Sequence, residues 1–367
     1  MTKILCVVGA RPNFMKIAPI MQALKRYSNL QGVLVHTGQH YDANMSKAFF
    51  DDLGIPKPDI NLEVGSGSHA AQTAAIMAKF EPVLIEQQPD LVLVVGDVNS
   101  TLACSVTAAK LLVPVAHVEA GLRSFDRTMP EEINRIVTDA ISDLLFTTCE
   151  EANRNLEREG VPKQKIRFVG NVMIDTLIQH VELAKRSAIR ARLGVDGQPY
   201  ALVTLHRPSN VDEAEGLHEI MGALEAIARD LPIVFPVHPR THARLEAFGL
   251  NGHLRDGGRL VLTEPLGYLD FLNLMMGARV VLTDSGGIQE ETTVLGVPCL
   301  TLRPNTERRV TITHGTNRLV PLTALAITEA ARQAVAETPN GAKIPPLWDG
   351  KAAERIAALL AHWRPRG

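Results

Sequence analysis

Three carboxylates in the first half of the chain are candidates for acid–base chemistry. Asp97 directly follows the apolar run LVLVVG, where it could also cap the helix that comes next. Glu119 lies within VAHVEAG, at the end of a strand that we expect to be covered on both faces, so its carboxylate needs a partner or a catalytic task. Glu131 lies in the first turn of a helix, where it could equally complement the helix dipole and pair with Arg135. All three suit general acid–base catalysis.

The second half of the chain contains residues suited to binding a phosphate or diphosphate. The stretch VVLTDSGGIQEE, residues 280–291, predicts a strand, a turn at Ser285-Gly286-Gly287 and a helix from Ile288. Glycines let the backbone approach a ligand, and the free N–H groups of a helix start bind anions, although the same turn could be an ordinary strand-to-helix connection. His206 and Arg207 end the run ALVTL and can both donate to phosphate oxygens.

Two further basic residues follow predicted strands. His238 ends the run IVFPV, where a structural histidine is the favoured interpretation, and Arg11 follows the first strand, where a lone arginine is usually solvated. No Walker pattern is present, and the one G-x-G, at Gly65 and Gly67, does not follow a predicted strand. We therefore expect neither a nucleotide cofactor nor a metal, and assign any anion to these local groups.

The elements that must position these residues alternate along the chain, as in parallel sheets with crossover helices. Strands are predicted at Ile4–Val8, Val33–Thr37, Leu91–Gly96, Val113–Val118, Leu144–Thr148, Ile166–Val169, Tyr200–Leu205, Ile233–Val237, Leu260–Thr263, Val280–Thr283, Cys299–Leu302 and Leu319–Leu322. Helices are predicted in the first half near residues 14–27, 42–53, 69–88, 100–111, 130–142 and 150–159, and a capped amphipathic helix ends the chain. The pattern predicts an α/β protein with two Rossmann-like domains, residues 1–170 and 171–349.

Composition limits the classes of function. The 367 residues are 46% hydrophobic and 21% charged, which suits two domains with large cores. The net charge of −2 gives no support for nucleic acid or an anionic membrane as a partner. Four widely spaced cysteines, no run long enough to span a bilayer and no signal-peptide pattern at the start lead us to expect a cytoplasmic protein with reduced thiols.

Five segments together resemble the non-hydrolysing UDP-N-acetylglucosamine 2-epimerases. They are GARPNFMKIAP (9–19), GDVNST (96–101), HVEAGLRSFDRTMPEEINR (117–135), TLHRP (204–208) and TDSGGIQEE (283–291). The resemblance extends from about residue 3 to the last helix. It implies a GT-B architecture with two Rossmann-like domains facing a central cleft, a C-terminal helix (350–367) that packs back on the first domain, and a homodimer that acts on a UDP-sugar.

The resemblance also implies a mechanism. Carbon 2 of the sugar is not next to a carbonyl, so its proton is not acidic, and the family instead expels UDP by anti elimination to a 2-acetamidoglucal and adds it back. By position, the residues match the family's catalytic acids (Asp97, Glu119, Glu131), its diphosphate-assisting histidine (His206), its ribose ligand (Glu291) and the residue near uracil (Phe271). We expect the remaining contacts to the substrate from Arg11, Arg135, Arg207, His238, Ser285, Gly286 and Gly287.

Departures from the family pattern keep alternatives open. Some members are activated by a second substrate molecule held by Gln-His-x-Gln, whereas here Gln39-His40 is followed by Tyr41-Asp42. GARPNF replaces the commoner GTRPEA, and Arg309 stands where many members have proline. GARP and GQHYD also occur in relatives that act on UDP-2,3-diacetamido uronic acids. A GT-B glycosyltransferase and a sugar-nucleotide sensor without turnover are the rival classes.

Overall fold

The computed structural model describes residues 1–38, 57–250, 259–337 and 343–364 of the chain. The chain divides into two units: unit 1 contains Met1–Gln179 and Pro346–Gly367, and unit 2 contains His180–Pro345. The domain boundary predicted at residues 170 and 171 lies ahead of this division. The predicted helix near 42–53 and the Gln39-His40 segment lie outside the described residues.

Unit 1 is built on a parallel sheet of seven strands among the described residues. They are β1 (Thr2–Val8), β2 (Leu30–His36), β3 (Ile60–Asn61), β4 (Leu91–Val95), β5 (Val115–Ala120), β6 (Leu144–Thr147) and β7 (Ile166–Phe168). The order in the sheet is 3-2-1-4-5-6-7, so the chain reverses its direction of winding between β1 and β4. Ligands of such sheets bind beyond the carboxyl ends of the strands at this switch point.

Helices cover the sheet of unit 1. They are α1 (Arg11–Leu24), α2 (His69–Gln87), α3 (Asn99–Lys110), α4 (Pro130–Ile141), α5 (Glu150–Arg158), α6 (Val172–Ala184, whose residues after Gln179 belong to unit 2) and the C-terminal α15 (Ala352–His362), with a short 3-10 turn at Lys163–Lys165. Helix α15 packs against α1. The side chain of Asp175 accepts hydrogen bonds from the N–H groups of Ala352 and Ala353, so the C-terminal helix is fastened to unit 1 at its first turn.

Unit 2 repeats the same winding with six described strands. They are β8 (Ala201–Thr204), β9 (Ile233–Pro236), β10 (Leu260–Thr263), β11 (Val280–Thr283), β12 (Cys299–Thr301) and β13 (Asn317–Leu319), in the order 10-9-8-11-12-13. The helices are α7 (Ile189–Arg192), α8 (Pro208–Val211), α9 (Ala214–Ala228), α10 (Pro239–Ala247), α11 (Tyr268–Gly277), α12 (Gly286–Leu295), α13 (Val310–Thr313) and α14 (Ala324–Ala336). Its switch point lies between β8 and β11.

Most predicted strands are confirmed to within a few residues, and two predictions are wrong. The last strand is Asn317–Leu319 rather than Leu319–Leu322. The side chain of Asn317 is buried because it accepts a hydrogen bond from Thr301, so a polar residue occupies a position where an apolar one was expected. Helix α12 begins at Gly286 rather than Ile288, so both glycines belong to its first turn.

Candidate active site

Asn13 joins the two strand ends at the switch point of unit 1. Its side-chain oxygen accepts hydrogen bonds from the N–H groups of Gly9 and Ala10 at 3.3 and 3.0 Å, just beyond β1. Its amide nitrogen donates to the carbonyl of Val95 at 3.0 Å, at the end of β4. Asn13 is buried, so these bonds are protected from water. This side chain therefore fixes the backbone from which Asp97 projects.

Asp97 forms an ion pair with Arg135 of α4, and a quarter of the Asp97 side chain is exposed. The N-cap of α3 is Val98, so the interpretation of Asp97 as a helix cap is wrong. Arg135 itself is almost fully buried. The guanidinium fixes the position of the carboxylate, while part of the group remains accessible to a ligand.

Glu119 is held in an unusual backbone conformation at the end of β5. Its φ angle is +75°, and the pairing of β5 with β6 shifts register between Val118 and Ala120. Residues other than glycine rarely adopt a positive φ angle, and backbone strain of this kind is concentrated at functional sites. The buried carboxylate forms an ion pair with the buried Lys16, which meets the expectation that it needs a partner. A Cβ at Gly96 would lie 3.0 Å from Lys16 Nζ and 3.7 Å from Glu119 Oε2.

A buried network behind Glu119 supports the loop that follows it. His117 lies between Asp139, at 2.6 Å, and the carbonyl of Gly96, at 2.8 Å. Asp139 also accepts from the N–H of Gly121 at 3.0 Å and pairs with Arg123 at 2.7 Å. Burial opposes ionisation of Asp139, but the contacts with His117 and Arg123 outweigh it and keep the pKa of Asp139 below its usual range. The network fixes both flanks of Glu119.

Glu131 and Glu132 begin α4 but have different surroundings. Arg135 pairs with Glu132 at 2.6 Å, so the predicted pair between Glu131 and Arg135 is wrong. The Glu132 carboxylate also accepts from the N–H groups of Ser124 and Phe125 at 3.0 and 2.9 Å. Burial opposes ionisation of Glu132, but these bonds and Arg135 lower its pKa overall. Glu131 is half-buried beside this structural carboxylate.

The anion-binding residues of unit 2 lie on the two loops at its switch point. The fully buried Asp284, after β11, accepts hydrogen bonds from the N–H groups of His206 and Arg207 at 3.0 and 2.9 Å, after β8. Burial opposes ionisation of Asp284, but the bonds from His206 and Arg207 outweigh it and lower its pKa. His206 and Arg207 are thus brought beside the start of α12.

The first turn of α12 presents free N–H groups next to a buried cation. Its N-cap is Ser285, and its first residues are Gly286 and Gly287. A Cβ at Gly286 would lie 2.3 Å from Nη1 of Arg308, so only glycine leaves room for this guanidinium. Arg308 also pairs with Glu290 at 3.1 Å. The helix start supplies the electropositive character of this site, because the charge of Arg308 is balanced by its pairs with Glu290 and Glu307.

His238 has both a structural and a site contact. Its Nδ1 accepts from the N–H of Arg240 at 3.2 Å, so it caps α10 as the structural interpretation predicts. Its exposed ring also lies 5.7 Å from the ring of His206, measured between centroids. His238 therefore belongs to the same group of side chains as His206.

Glu291 is buried in α12 and faces α11. Oη of Tyr268 donates to Glu291 Oε1 at 2.8 Å. Burial raises the pKa of Glu291 to about 7, although the Tyr268 bond acts in the opposite direction. Phe271 lies half-buried on the same helix as Tyr268.

Comparison with known proteins decides the family. The family model described as UDP-N-acetylglucosamine 2-epimerase matches residues 22–361. The chain belongs to this family.

The similarity to its relatives extends over nearly the whole chain. A UDP-N-acetylglucosamine 2-epimerase of Methanocaldococcus jannaschii is 43% identical over 98% of this chain and 99% of the relative. The crystal structure of the M. jannaschii UDP-GlcNAc 2-epimerase in complex with UDP-GlcNAc and UDP superimposes with a TM-score of 0.91 at 44% identity, covering 99% and 100% of the two chains. A UDP-2,3-diacetamido-2,3-dideoxy-D-glucuronate 2-epimerase of Pseudomonas aeruginosa is 42% identical over 98% of this chain and 99% of the relative. The chain is therefore an isomerase with an α/β, GT-B-like fold, as predicted.

Within this family member, the structure brings the predicted residues together in two sets, one in each unit. Unit 1 places Asp97 in an ion pair with Arg135, Glu119 at the end of the neighbouring strand and Glu131 at the start of the helix that carries Arg135. Unit 2 places His206, Arg207, His238, Ser285, Gly286 and Gly287 on the elements around Asp284, with Glu291 and Phe271 on α12 and α11. Arg11 begins α1, but its side chain lies outside the described part of the structure. No cluster of potential metal ligands occurs among the described residues. No helix in the described ranges is long and apolar enough to cross a membrane.

Sequence reasoning missed several residues of these sets. Lys16 lies in the apolar run MKIAPI, where a lysine is normally assigned to the exposed face of a helix. Asn13 and Asp284 follow predicted strands within GARPNFMKIAP and TDSGGIQEE, but the pattern assigns neither of them a role. The run TERR places an acidic residue directly before two basic ones, which is a pattern that can indicate an ion pair. In the structure Glu307 and Arg308 are both buried in ion pairs.

Proposed function

We propose that the protein interconverts UDP-N-acetylglucosamine and UDP-N-acetylmannosamine by inverting carbon 2. The observation that carries the proposal is the pair of carboxylates that follow or end the adjacent strands β4 and β5, each of them in an ion pair with a buried cation. Asp97 is paired with Arg135, and Glu119 with Lys16. Two carboxylates stabilised in this way can serve as base and acid for one reaction.

The proposed chemistry is elimination followed by addition. A carboxylate removes the proton from carbon 2, the C2–H electron pair forms the C1=C2 double bond, and the bond from carbon 1 to the UDP oxygen breaks. UDP then returns to carbon 1, while a proton is delivered to the opposite face of carbon 2. Atoms and charge balance without an oxidant. Glu131, at the start of α4, is the third proposed acid, and the roles of neighbouring carboxylates are best assigned to the group as a whole.

Unit 2 supplies the proposed binding site for UDP. The first turn of α12 with His206, Arg207 and His238 meets the diphosphate, whose negative charge increases as the bond to carbon 1 breaks. Glu291 accepts hydrogen bonds from the ribose hydroxyls, and Phe271 packs near the uracil. Arg11 and Arg135 complete the proposed contacts to the substrate.

Incubation with UDP-N-acetylglucosamine alone tests the proposal. We expect a new anomeric proton signal of UDP-N-acetylmannosamine by NMR, and deuterium at carbon 2 when the solvent is D₂O. A glycosyltransferase would need an acceptor, a hydrolysing enzyme would release free N-acetylmannosamine and UDP, and a sensor would bind UDP without turnover. No new signal with any UDP-sugar would reject the proposed isomerisation.

A second substrate is favoured by a specific observation. The Pseudomonas relative named for UDP-2,3-diacetamido-2,3-dideoxy-D-glucuronate is almost as similar to this chain as the M. jannaschii relative. Parallel measurements of kcat/KM on the two UDP-sugars would rank them. A preference above about tenfold for the uronate, equivalent to ~1.4 kcal/mol, would reassign the substrate but keep the inversion at carbon 2.

We also propose a homodimer that works in the cytoplasm and supplies UDP-N-acetylmannosamine for polysaccharide biosynthesis. Helices α2 and α3 pack together in unit 1 and leave Ile85, Leu111 and Leu112 exposed near their ends. An exposed group of large apolar residues supports an interface. Light scattering should give twice the chain mass, and Leu112→Glu should lower it. A monomer at micromolar concentration would reject the dimer, and cell fractionation tests the compartment.

A further inference from the structure

Asp284 is the buried carboxylate that joins the two loops at the switch point of unit 2. Besides the N–H groups of His206 and Arg207, the side chain of Asn210 donates to its Oδ2 at 3.2 Å. Its Oδ1 lies 3.1 Å from Nδ1 of the His206 ring. Asp284 therefore contacts both the backbone that carries His206 and the ring itself.

This contact assigns a proton on the His206 ring. The pKa of Asp284 lies below its usual range, because its hydrogen bonds outweigh the opposing effect of burial, so the carboxylate is ionised at neutral pH and can only accept. Nδ1 of His206 must then carry a proton and donate it to Asp284. The other ring nitrogen, Nε2, is left for a ligand, and 41% of the His206 side chain is exposed.

The neighbouring His238 has the opposite arrangement. Its Nδ1 accepts from the N–H of Arg240, so its proton lies on Nε2. The other charged groups around the pair are Arg207, whose Nε donates to the carbonyl of Asp284 at 3.1 Å, and Arg240, which is paired with Asp212. Among these groups, Asp284 is the carboxylate in contact with His206.

We propose that Asp284 is a positioning residue that fixes the Nδ1–H form of His206 and directs Nε2 to an oxygen of the leaving diphosphate. The identity of that ligand rests on the proposed function. A hydrogen bond from this ring to a diphosphate oxygen requires a proton on Nε2 as well, and a charge-assisted bond of this kind strengthens as charge builds on the diphosphate. Asp284 acts through His206 and does not touch the substrate.

Asp284→Asn tests this role, because it retains size and one acceptor oxygen but removes the charge. We expect kcat to fall about 10–100-fold and the alkaline limb of the kcat profile to move to lower pH, because the doubly protonated ring is less stable. In a His206→Asn background the same substitution should change kcat less than about threefold, since residues that act as one unit are not additive. Equal losses in both backgrounds would overturn the proposal.

Asn210→Ala is the matched control. It removes a hydrogen bond to Oδ2 of the same carboxylate, and one to the carbonyl of Leu302, but leaves the contact of Oδ1 with the His206 ring in place. We expect lower thermal stability, kcat within about threefold and an unchanged pH profile. A displaced pH profile in this variant would assign the effect to loop structure rather than to Asp284.

NMR of the wild-type protein with ¹⁵N-labelled histidine keeps the proposal testable if Asp284→Asn does not fold. The His206 signals are assigned by their loss in His206→Asn. We expect a proton on Nδ1 both without and with UDP, and a proton on Nε2 alone would overturn the proposal. If this signature is present while no UDP-sugar is turned over, the proposed function fails and the positioning role stands.

Discussion

Glu119 in unit 1 and Glu291 in unit 2 are both buried glutamates, but they face different partners. Glu119 is held at positive φ and contacts the ammonium group of Lys16. Glu291 lies in regular helix and contacts only the neutral hydroxyl of Tyr268 among its described hydrogen-bond partners, and burial raises its pKa to about 7. A cation favours the ionised form of a carboxylate, whereas a single hydroxyl does not offset burial. The comparison teaches that the two units treat a buried glutamate differently: unit 1 gives Glu119 a charged partner, whereas unit 2 leaves Glu291 able to change charge when a ligand arrives.

The largest expected effect comes from neutralising the carboxylates of unit 1. Asp97→Asn and Glu119→Gln should each lower kcat by about 10²–10⁴ and leave UDP affinity within about threefold, because each removes an acid or base but no contact to the nucleotide. Glu354→Gln is the matched control, since Glu354 forms an exposed ion pair with Arg26 outside the candidate set and its network, and should keep kcat within about threefold. Unchanged rates in the first two variants would return Asp97 and Glu119 to a structural role.

A methyl group at the start of α12 should have the next largest effect. In Gly286→Ala the new Cβ would meet Nη1 and Cζ of Arg308 at 2.3 and 2.6 Å. Arg308 cannot easily move aside, because it is buried in ion pairs with Glu290 and Glu307. We expect about 10–100-fold weaker UDP binding by calorimetry and a loss of about 1–3 kcal/mol in stability.

Gly216→Ala is the control for this substitution, because its nearest neighbour would be the carbonyl oxygen of Asn210 at 4.0 Å. It should leave UDP affinity unchanged. Normal UDP binding by Gly286→Ala would contradict the assignment of the diphosphate to this helix start.

The sequence predicts the parts of these sites that depend on local interactions along the chain, and it fails where distant residues decide the contact. The alternation of apolar runs and helices places Asp97, Glu119 and His206 at strand ends, because periodicity and burial act locally. The partners are set by the tertiary fold. Arg135 pairs with Glu132 rather than with Glu131, although both lie within one helical turn. Lys16 pairs with Glu119 of β5, which is distant from it in the sequence. Such choices depend on packing that no local pattern encodes.

A smaller effect is expected from pH on nucleotide binding in unit 2. If Glu291 accepts hydrogen bonds from the ribose hydroxyls, it must bind as the carboxylate. Its pKa of about 7 without ligand then predicts UDP affinity about tenfold weaker at pH 6 than at pH 8. The same raised pKa means that the ligand-free protein gains stability from Glu291 at acid pH and loses it as the pH rises through about 7.

Calorimetry in buffers of different ionisation enthalpy measures the proton release that this linkage requires. Glu291→Gln should bind UDP weakly with no dependence on pH over this range. A wild-type affinity that does not change between pH 6 and pH 8 would contradict the assignment of Glu291 as a titrating ribose ligand.

The smallest effect is expected at a buried carboxylate outside both candidate sites. It tests whether neutral N–H donors stabilise the ionised form of a buried carboxylate less than a cation does. Asp175 accepts from the N–H groups of Ala352 and Ala353 at 3.1 and 2.7 Å, and burial raises its pKa to about 6 despite these bonds. A raised pKa means that the carboxyl stabilises the fold below its unfolded value of 3.8 and loses that contribution as the pH rises through about 6. The stability difference between wild type and Asp175→Asn should therefore shrink from pH 4 to pH 8, ending below about 1 kcal/mol. Chemical denaturation at each pH measures it. A difference that grows with pH would show that backbone N–H groups at a helix start stabilise a buried carboxylate as well as a cation does, and would remove the distinction drawn between Glu119 and Glu291.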